Sequence, residues 1–247
     1  MPQSSPCRRL PSILAALCLL CSTAQAGELH LLTEDYPPYS TLDADNRPGG
    51  PAVAKVEELM RRTGRAYTLE LQPWPRAFEY AQSHADSCVF STVRSVQREK
   101  QFQWIGPLFD TYNMAIFARA DDPRRPANLE ALRPYTLGSY TEGAVAEHLK
   151  ARGYKIDLAD NDNYNPQKLL HQRFDFWAAG KSHGEAILRR QKLQDKIVLL
   201  FSFERAEMYL ACNRNMAKDD VAALRHGWES MKADGSNLAI ERRYLKR

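Results

Sequence analysis

Carboxyl, hydroxyl, phenol and guanidinium side chains follow three predicted strands of this chain, close to where each strand ends. The three groups are Glu34, Tyr36 and Tyr39; Ser91, Arg94 and Arg98; and Ser139, Tyr140 and Thr141. In open α/β sheets the carboxyl ends of the strands open into the ligand crevice. A guanidinium binds a carboxylate through two parallel hydrogen bonds, and backbone N–H groups of the helix predicted after Thr141 would add donors. Each residue alone fits a cap, a turn or the surface equally well, but the whole set predicts a crevice for a small anionic molecule.

The sequence lacks the short motifs that mark common enzymes and metal sites. It has no Gly-x-Ser-x-Gly elbow, no phosphate-binding glycine-rich loop and no dinucleotide fingerprint. Residues 27–247 contain neither Cys-x-x-Cys nor His-Glu-x-x-His, and the six histidines are scattered. We therefore expect no metal and no cofactor. Asp175 and Glu207 are available as a general acid or base, but any α/β protein has such carboxylates. The sequence therefore neither excludes an enzyme nor contains a motif that indicates one.

The composition is that of an ordinary soluble globular protein. Of the 247 residues, 44% are hydrophobic and 26% are charged, which excludes a collagen-like, a disulfide-dense and a fully disordered chain. The length predicts one large domain or two small ones. The net charge of +4 is modest, and acidic and basic residues are interleaved. A nucleic-acid-binding surface is therefore not indicated.

The first 26 residues have the pattern of a secretory signal peptide. Arg8 and Arg9 precede an apolar segment at 13–21, and Ala24 and Ala26 stand at the two positions that a signal peptidase reads. The apolar segment is too short to span a bilayer, which disfavours a membrane anchor, and no later apolar segment approaches the ~20 residues of a transmembrane helix. A signal peptide of this kind would direct export of the chain, with cleavage after Ala26.

Two cysteines, Cys88 and Cys212, remain after this cleavage. An oxidising compartment allows them to form a bridge. A disulfide needs its two Cα atoms about 6 Å apart, and the sequence alone does not place them. A bridge and two separate buried thiols therefore both stay open.

Short apolar segments alternate with helix-like segments along almost the whole chain, a pattern typical of α/β proteins. Strands are predicted at 29–33, 67–72, 88–91, 114–118, 136–139, 156–158, 174–178, 197–201 and 208–212. Helices are predicted at 52–63, 76–82, 142–151, 166–171, 185–193, 219–232 and 237–244. A charged, proline-bearing segment at 121–126 separates two such cycles and indicates an exposed connection between two lobes.

A series of motifs runs through the chain after residue 26. It consists of Glu-Asp-Tyr-Pro-Pro-Tyr at 34–39, Gly50, Pro-Trp-Pro-Arg-Ala at 73–77, residues 91–98, Phe-Gln-Trp-Ile-Gly-Pro at 102–107, Arg-Phe-Asp at 173–175, and Asp-Gly at 234–235 followed by residues 240–245. No single motif is decisive. Their order and spacing together resemble the bacterial extracellular solute-binding proteins of family 3, the periplasmic receptors of amino-acid-type ABC importers.

The resemblance implies a type 2 periplasmic-binding-protein fold, with two α/β lobes joined by two crossing hinge strands. The segments at 114–118 and 208–212 are the expected crossing strands. Lobe 1 would then comprise 27–117 and 213–247, and lobe 2 would comprise 118–212. The implied function is that of a monomeric, non-enzymatic receptor. It would capture a small polar ligand by lobe closure and deliver it to an ABC permease in the inner membrane.

The resemblance also implies roles for individual residues. Arg98 corresponds to the family arginine that holds a ligand carboxylate, Ser91 to a hydroxyl that assists it, and Thr141 to a donor from lobe 2. Glu34 lies near an acidic position of some members. Arg94 occupies a position that is usually apolar, so it would add a second cation.

Aromatic residues complete the expected site. Tyr36 or Tyr39 corresponds to the aromatic wall of the family's crevice. Trp74 belongs to the motif at 73–77, and Ser139 and Tyr140 flank Thr141 at the same strand end.

One stretch departs from the family pattern. Amino-acid receptors of the family usually have an acidic residue shortly after the Arg-hydrophobic-Asp strand, where it pairs with the ligand ammonium. Residues 178–181 are Ala-Ala-Gly-Lys here, without an acid. A buried ammonium without a partner costs several kcal/mol. Either Glu34 or Asp175 supplies the charge, or the ligand is another small carboxylate or polar solute.

Two other functions stay open. Cyclohexadienyl dehydratases resemble these receptors in fold, and in an enzyme of that kind Glu34, Glu142 or Asp175 would act as the general acid. A periplasmic sensor module without transport would have the same sequence features. Turnover of prephenate or arogenate by the purified protein separates the enzyme from the binding protein.

Overall fold

The structure is a computed structural model that describes residues 27–245. The predicted signal peptide, residues 1–26, lies outside the described residues. Within the described range, no helix combines the length and the apolar character needed to cross a membrane.

Strands and helices alternate, as the sequence pattern predicts. The strands are β1 (Leu29–Thr33), β2 (Thr41–Leu42), β3 (Pro48–Gly49), β4 (Tyr67–Leu71), β5 (Ser87–Val93), β6 (Phe102–Arg119), β7 (Thr136–Tyr140), β8 (Lys155–Ala159), β9 (Phe176–Gly180) and β10 (Ile197–Asn213). The α-helices are α1 (Pro51–Thr63), α2 (Trp74–Ser83), α3 (Ala144–Lys150), α4 (Asn165–Leu170), α5 (Lys181–Gln191), α6 (Lys218–Ala233) and α7 (Ser236–Leu245). Two 3₁₀-helices cover Glu130–Leu132 and Asp162–Tyr164.

Two groups of parallel strands form two lobes. In lobe 1, β1 pairs in parallel with β4 and β5, α2 packs on this group, and α1, α6 and α7 pack on one another. In lobe 2, β7 pairs in parallel with β8 and β9, and α3, α4 and α5 pack on that group. Parallel neighbours need a crossover connection, which the intervening helices provide.

Two long antiparallel strands, β6 and β10, join the lobes. β10 pairs with β5 of lobe 1 through residues 208–212, and β6 pairs with β9 of lobe 2 through residues 114–117. The two strands also pair with each other from one lobe to the other. The expected crossing hinge strands are therefore present. Each is longer than predicted, because the crossing segment continues directly into the strand on either side.

The apolar helix faces predicted from the sequence are buried. In α6, Val221, Leu224, Trp228 and Met231 are each at most 3% exposed, and this helix packs on α1. Burial of an aliphatic side chain of this kind contributes roughly 1.5–3 kcal/mol to folding. As predicted, α1 ends at Gly64, whose φ of 67° lies in the left-handed region that glycine adopts without strain.

Two element boundaries differ from the predicted ones for local reasons. The helix predicted from residue 142 begins at Ala144, because Glu142 has a φ of 57° and cannot be helical. The strand predicted from residue 174 begins at Phe176. The side chain of Asp175 accepts a hydrogen bond from the Thr136 N–H at this point, so the residue caps the strand edge.

Cys88 and Cys212 form a disulfide bridge. They face each other in the antiparallel pairing of β5 with β10. The bridge therefore ties the second crossing strand to lobe 1. Of the two alternatives that the sequence leaves open, this is the one adopted, because strand pairing brings together residues 124 positions apart.

Candidate functional site

A small cavity lies between the lobes, at the carboxyl ends of β1, β5 and β7. It is lined by Glu34, Tyr36, Trp74, Ser91, Val93, Arg98, Tyr112, Tyr140, Ala144 and Met208. Its volume is about 10 Å³, which is room for roughly one water. Six of the residues predicted from the sequence meet here: Glu34, Tyr36, Trp74, Ser91, Arg98 and Tyr140.

Arg98 is the buried cation of this cavity. Its side chain is 2% exposed, and its guanidinium lies 4.7 Å from the ring centre of Phe78 and 5.7 Å from that of Trp74. Nε donates to Glu147 Oε2 at 2.9 Å, and Nη2 donates to the backbone oxygen of Glu142 at 2.6 Å. A buried charge needs partners of this kind. Both acceptors come from lobe 2, so this one side chain joins the two lobes.

A bulge in β5 turns Ser91 toward the cavity. Phe90 and Ser91 together oppose Leu210 of β10, and Ser91 has a φ of 60°. Only a few per cent of non-glycine residues adopt this left-handed region. β-Bulges re-aim side chains in this way. The hydroxyl of Ser91 lies 3.4 Å from that of Ser40, at the wall of the cavity.

Glu34 places a carboxyl group inside the cavity. Tyr140 Oη of lobe 2 donates to Glu34 Oε1 at 3.0 Å. Burial raises the pKa of Glu34 to about 8, because removal from water disfavours the charged carboxylate. The carboxyl group is therefore mostly protonated at pH 7, and the cavity gains a neutral group that both donates and accepts.

Aromatic rings form the wall next to Glu34. The hydroxyls of Tyr36 and Tyr112 are hydrogen-bonded at 2.7 Å, and the ring of Tyr36 stacks on His183 with 3.7 Å between ring centres. His183 Nδ1 donates to the backbone oxygen of Pro37 at 3.0 Å. Burial lowers the pKa of His183 to about 3. Because Tyr36 belongs to lobe 1 and His183 to lobe 2, this stack also joins the lobes.

Sequence reasoning missed three polar or aromatic residues of this site, Tyr112, Glu147 and His183, as well as the apolar lining residues Val93, Ala144 and Met208. Tyr112 lies in the middle of β6, where no strand end marks it. Glu147 lies on α3, and only its contact with Arg98 reveals it. His183 follows the end of β9 at a strand-to-helix junction. The same signal that selected Tyr140 could therefore have found His183.

Three predicted residues of the first and third groups do not line the cavity: Tyr39, Ser139 and Thr141. Tyr39 packs edge to face on Phe109, with 4.9 Å between ring centres. Ser139 is buried in lobe 2, because alternation along β7 points it away from the face that carries Tyr140. Thr141 donates to a backbone oxygen at the end of β8 and lies at an open groove outside the cavity.

Arg94 does not share the cavity with Arg98. It pairs with Glu99, with 2.6 Å between Nη2 and Oε1, and lies 5.4 Å from the ring centre of Tyr209. It lines an open groove of about 600 Å³ beside the hinge strands. The two cations expected in one crevice are therefore separated, because the turn after β5 directs them to different sides.

Asp175 lies at the wrong end of β7 to reach the cavity. It accepts from the Thr136 N–H at 2.9 Å and pairs with Arg124 at 2.7 Å. Thr136 is the first residue of β7, whereas Tyr140 is the last. Of the two acids proposed to meet a ligand ammonium, Glu34 lies in the cavity and Asp175 does not.

The cavity combines one buried cation, one neutral carboxyl group and four hydroxyls. The hydroxyls belong to Tyr36, Ser91, Tyr112 and Tyr140. Guanidinium and hydroxyl groups together suit a small molecule that carries a carboxylate and further polar groups. In residues 27–245 no cluster of three or more His, Cys, Asp or Glu side chains is arranged to hold a metal ion.

The sequence from residue 30 to residue 247 matches the model of the bacterial extracellular solute-binding proteins, family 3. The chain belongs to this family. The resemblance inferred from the order of the motifs is thereby confirmed. No curated protein matches this family 3 solute-binding protein.

Three solved structures share the fold of this solute-binding protein. A histidine kinase sensor domain with similarity to periplasmic binding proteins has a TM-score of 0.81 and 24% identity, covering 90% of this chain and 97% of its own. An ancestral arginine-binding protein bound to arginine has a TM-score of 0.77 and 19% identity, covering 90% and 99%. The GluR0 ligand-binding core from Nostoc punctiforme in complex with L-glutamate has a TM-score of 0.74 and 13% identity, covering 89% and 100%. These similarities confirm the expected two-lobe, type 2 periplasmic-binding-protein fold.

Proposed function

We propose that this protein is a receptor for a small polar solute with a carboxylate group, an amino acid or a related molecule. One observation carries the proposal: Arg98 is buried in the interlobe cavity among aromatic rings and hydroxyl groups. A guanidinium in such surroundings binds a carboxylate strongly, because little water competes for its donors. Membership of an extracellular solute-binding family supports the same conclusion.

Capture proceeds by closure of the two lobes around the solute. The solute first binds lobe 1 through Arg98 and Ser91, and it gains contacts with Tyr140 when lobe 2 approaches. Only contacts that differ between the open and closed forms drive closure. A shift from mostly open to mostly closed requires about 5.5 kcal/mol of preference for the closed form. Two to four charge-assisted hydrogen bonds, at roughly 1.5–3 kcal/mol each, supply this preference.

Glu34 is the proposed partner for the ammonium group of an amino acid. It lines the cavity, whereas Asp175 is paired with Arg124 at the far end of β7. A cation within hydrogen-bond distance favours the charged form of a carboxyl group and lowers its pKa. Glu34 therefore releases its proton when the ammonium binds. Its carboxylate then takes the role of the acidic residue that is absent from 178–181.

The proposed setting is the periplasm, which the chain reaches through a signal peptide at 1–26. The receptor acts there as a monomer, with lobe 1 formed by 27–117 and 213–247 and lobe 2 by 118–212. It binds its solute without turning it over and passes it to an ABC permease of the inner membrane. The two long strands that join the lobes support the proposed division of the chain.

A sensor role is the second candidate. It is favoured by the similarity to a histidine kinase sensor domain, at 24% identity. Uptake of radiolabelled solute by cells with and without the gene separates the two roles. Loss of uptake in the deletion strain supports transport, and unchanged uptake with a lost transcriptional response supports sensing. Turnover of prephenate or arogenate by the purified protein would instead support an enzyme.

A thermal-shift screen of amino acids, polyamines and organic acids tests the proposal. A compound at 100 times its Kd stabilises the protein by about 2.7 kcal/mol, which raises the melting temperature by roughly 5–10 °C. We expect an amino acid or another carboxylate to give such a shift. Polyamines, which carry no carboxylate, should give none.

Arg98→Lys tests the residue that carries the proposal. It keeps the charge but loses the planar fork that binds a carboxylate, so we expect at least tenfold weaker binding in calorimetry. Arg124→Lys is the matched control, because Arg124 is also ion-paired and lies over two aromatic rings, Tyr135 and Phe176. Unchanged affinity in R98K would refute the proposed role.

A further inference from the structure

A carboxylate of lobe 2 occupies one edge of the Arg98 guanidinium. Nε of Arg98 donates to Glu147 Oε2 at 2.9 Å. Nη2 of the same group donates to the backbone oxygen of Glu142 at 2.6 Å. Nε and Nη2 form one edge of the planar guanidinium, and each has a lobe 2 oxygen as its acceptor.

A carboxylate can bind a guanidinium through either of two edges, and this edge is one of them. A carboxylate binds arginine most strongly through two parallel N–H donors. Arg98 is buried, so little water is available to satisfy donors that lose a partner. A ligand carboxylate that binds through this edge competes with Glu147 for the same donors.

Arg98 and Glu147 both border an open groove outside the cavity. The groove has a volume of about 550 Å³, and Arg98 lines both spaces. Three glutamines and one lysine line the groove as well: Gln82, Gln97, Gln101 and Lys150. Glu147 faces this groove, and its side chain is 32% exposed, against 2% for Arg98. Glu147 can therefore turn into water when it is displaced, whereas Arg98 cannot.

We propose that Glu147 is a specificity-determining residue of this receptor, an internal counter-ion that holds the Arg98 edge until a ligand carboxylate displaces it. The inference rests on the proposed function in one respect, that Arg98 receives the carboxylate. It follows that a solute without a carboxylate leaves the Arg98–Glu147 pair in place and gains nothing from Arg98. A solute whose carboxylate takes this edge must bind Arg98 more strongly than Glu147 does.

Removal of the Glu147 carboxylate should leave a place that a free carboxylate can fill. In Glu147→Ala, we use sodium acetate as the probe, acetamide as its neutral isostere and sodium chloride to match ionic strength. We expect 100 mM acetate to raise the melting temperature of E147A by roughly 3 °C in a saturable manner. The wild type, whose own carboxylate fills the place, should shift by less than a third of that.

Two further variants show which group binds the acetate. In R98K/E147A the acetate response should disappear, because the planar fork is lost. Glu185→Ala is the matched control, since Glu185 is a lobe 2 helix glutamate in an ion pair, with Lys181 on the same helix at 3.2 Å. E185A should respond to acetate as the wild type does. If E147A does not fold, Glu147→Gln takes its place, with at least fivefold tighter acetate binding than the wild type as the expected result.

The outcomes separate this inference from the proposed function. Equal responses to acetate and acetamide in the Glu147 variants would overturn the inference, even if an amino acid or organic acid binds the wild type. An acetate response that depends on Arg98 would support the inference, even if the solute screen finds no carboxylate ligand. A purely structural contact between the lobes predicts destabilisation of E147A without acetate rescue, and that result also counts against the inference.

Discussion

Tyr140 Oη donates a hydrogen bond to Glu34 Oε1 at 3.0 Å, across the cleft from lobe 2 to lobe 1. Burial of the carboxyl group beside this contact raises the pKa of Glu34 to about 8. The closed cavity therefore holds a proton that an exposed glutamate would release near pH 4.5. Two expectations follow, one for stability and one for binding.

The stability of the protein should fall with rising pH because of Glu34. Below pH 4.5 the folded and unfolded chains both hold the proton, and between pH 4.5 and 8 only the folded chain keeps it. The free energy of unfolding therefore decreases over this window, by at most ~1.4 kcal/mol per pH unit. Between pH 6 and 8 we expect the wild type to lose about 2 kcal/mol more than Glu34→Gln. Urea unfolding at several pH values measures this, and parallel pH profiles would contradict it.

Binding of an amino acid should release a proton at pH 7. An ammonium next to Glu34 favours the carboxylate and lowers its pKa, so the proton leaves as the ligand binds. Calorimetry in two buffers of different ionisation enthalpy measures the number of protons released. We expect nearly one for the wild type and none for E34Q. A buffer-independent enthalpy in the wild type would mean that Glu34 does not meet the ammonium.

Reduction of the Cys88–Cys212 bridge should destabilise the protein. The bridge closes a loop of 124 residues between β5 and β10, and a crosslink of this span stabilises by roughly 3–5 kcal/mol through the entropy of the unfolded chain. We expect the urea midpoint to fall on addition of a reductant. The Cys88→Ser/Cys212→Ser variant should have the lower midpoint with or without reductant. Equal midpoints for the reduced and oxidised wild type would argue against this contribution.

Gly180 makes room for the phenols of the site. A Cβ at this position would lie 2.7 Å from the Tyr112 hydroxyl and 2.8 Å from the Tyr36 hydroxyl. We expect Gly180→Ala to destabilise the protein by ~1–3 kcal/mol and to weaken solute binding, because both rings must shift. Gly49→Ala is the control, since the nearest atom to its Cβ is 3.9 Å away. Thermal unfolding and calorimetry compare the two variants, and matching results for both would exclude the steric effect.

Much of the fold could be predicted from the sequence because it depends on local patterns. The alternation of apolar segments with helix-like ones predicts an α/β protein, and apolar residues at helical spacing predict the buried face of α6. Polar residues at strand ends point to the crevice, since the topology of α/β sheets places ligands there. This rule found Glu34, Ser91, Arg98 and Tyr140, all of which line the cavity.

Which side chains meet was decided only by the tertiary structure. Ser139 and Tyr140 are neighbours in sequence, yet strand alternation sends only Tyr140 to the cavity. Arg94 and Arg98 are four residues apart, and the turn after β5 sends them to different spaces. Successive side chains of a strand point to opposite faces of the sheet, so a shift of one residue moves a side chain to the other face. At a strand end a local sequence pattern does not determine which face a side chain takes.

The contacts that close the cleft are the features that a sequence pattern predicts least. Glu34 meets Tyr140 across 106 positions, and Arg98 meets Glu147 across 49. The types of these residues were readable in the chain, and so was the expectation of two lobes. Their pairing, and the burial that changes the ionisation of Glu34, arise only when the hinge strands bring the lobes together, because desolvation and charge pairing depend on distances in space.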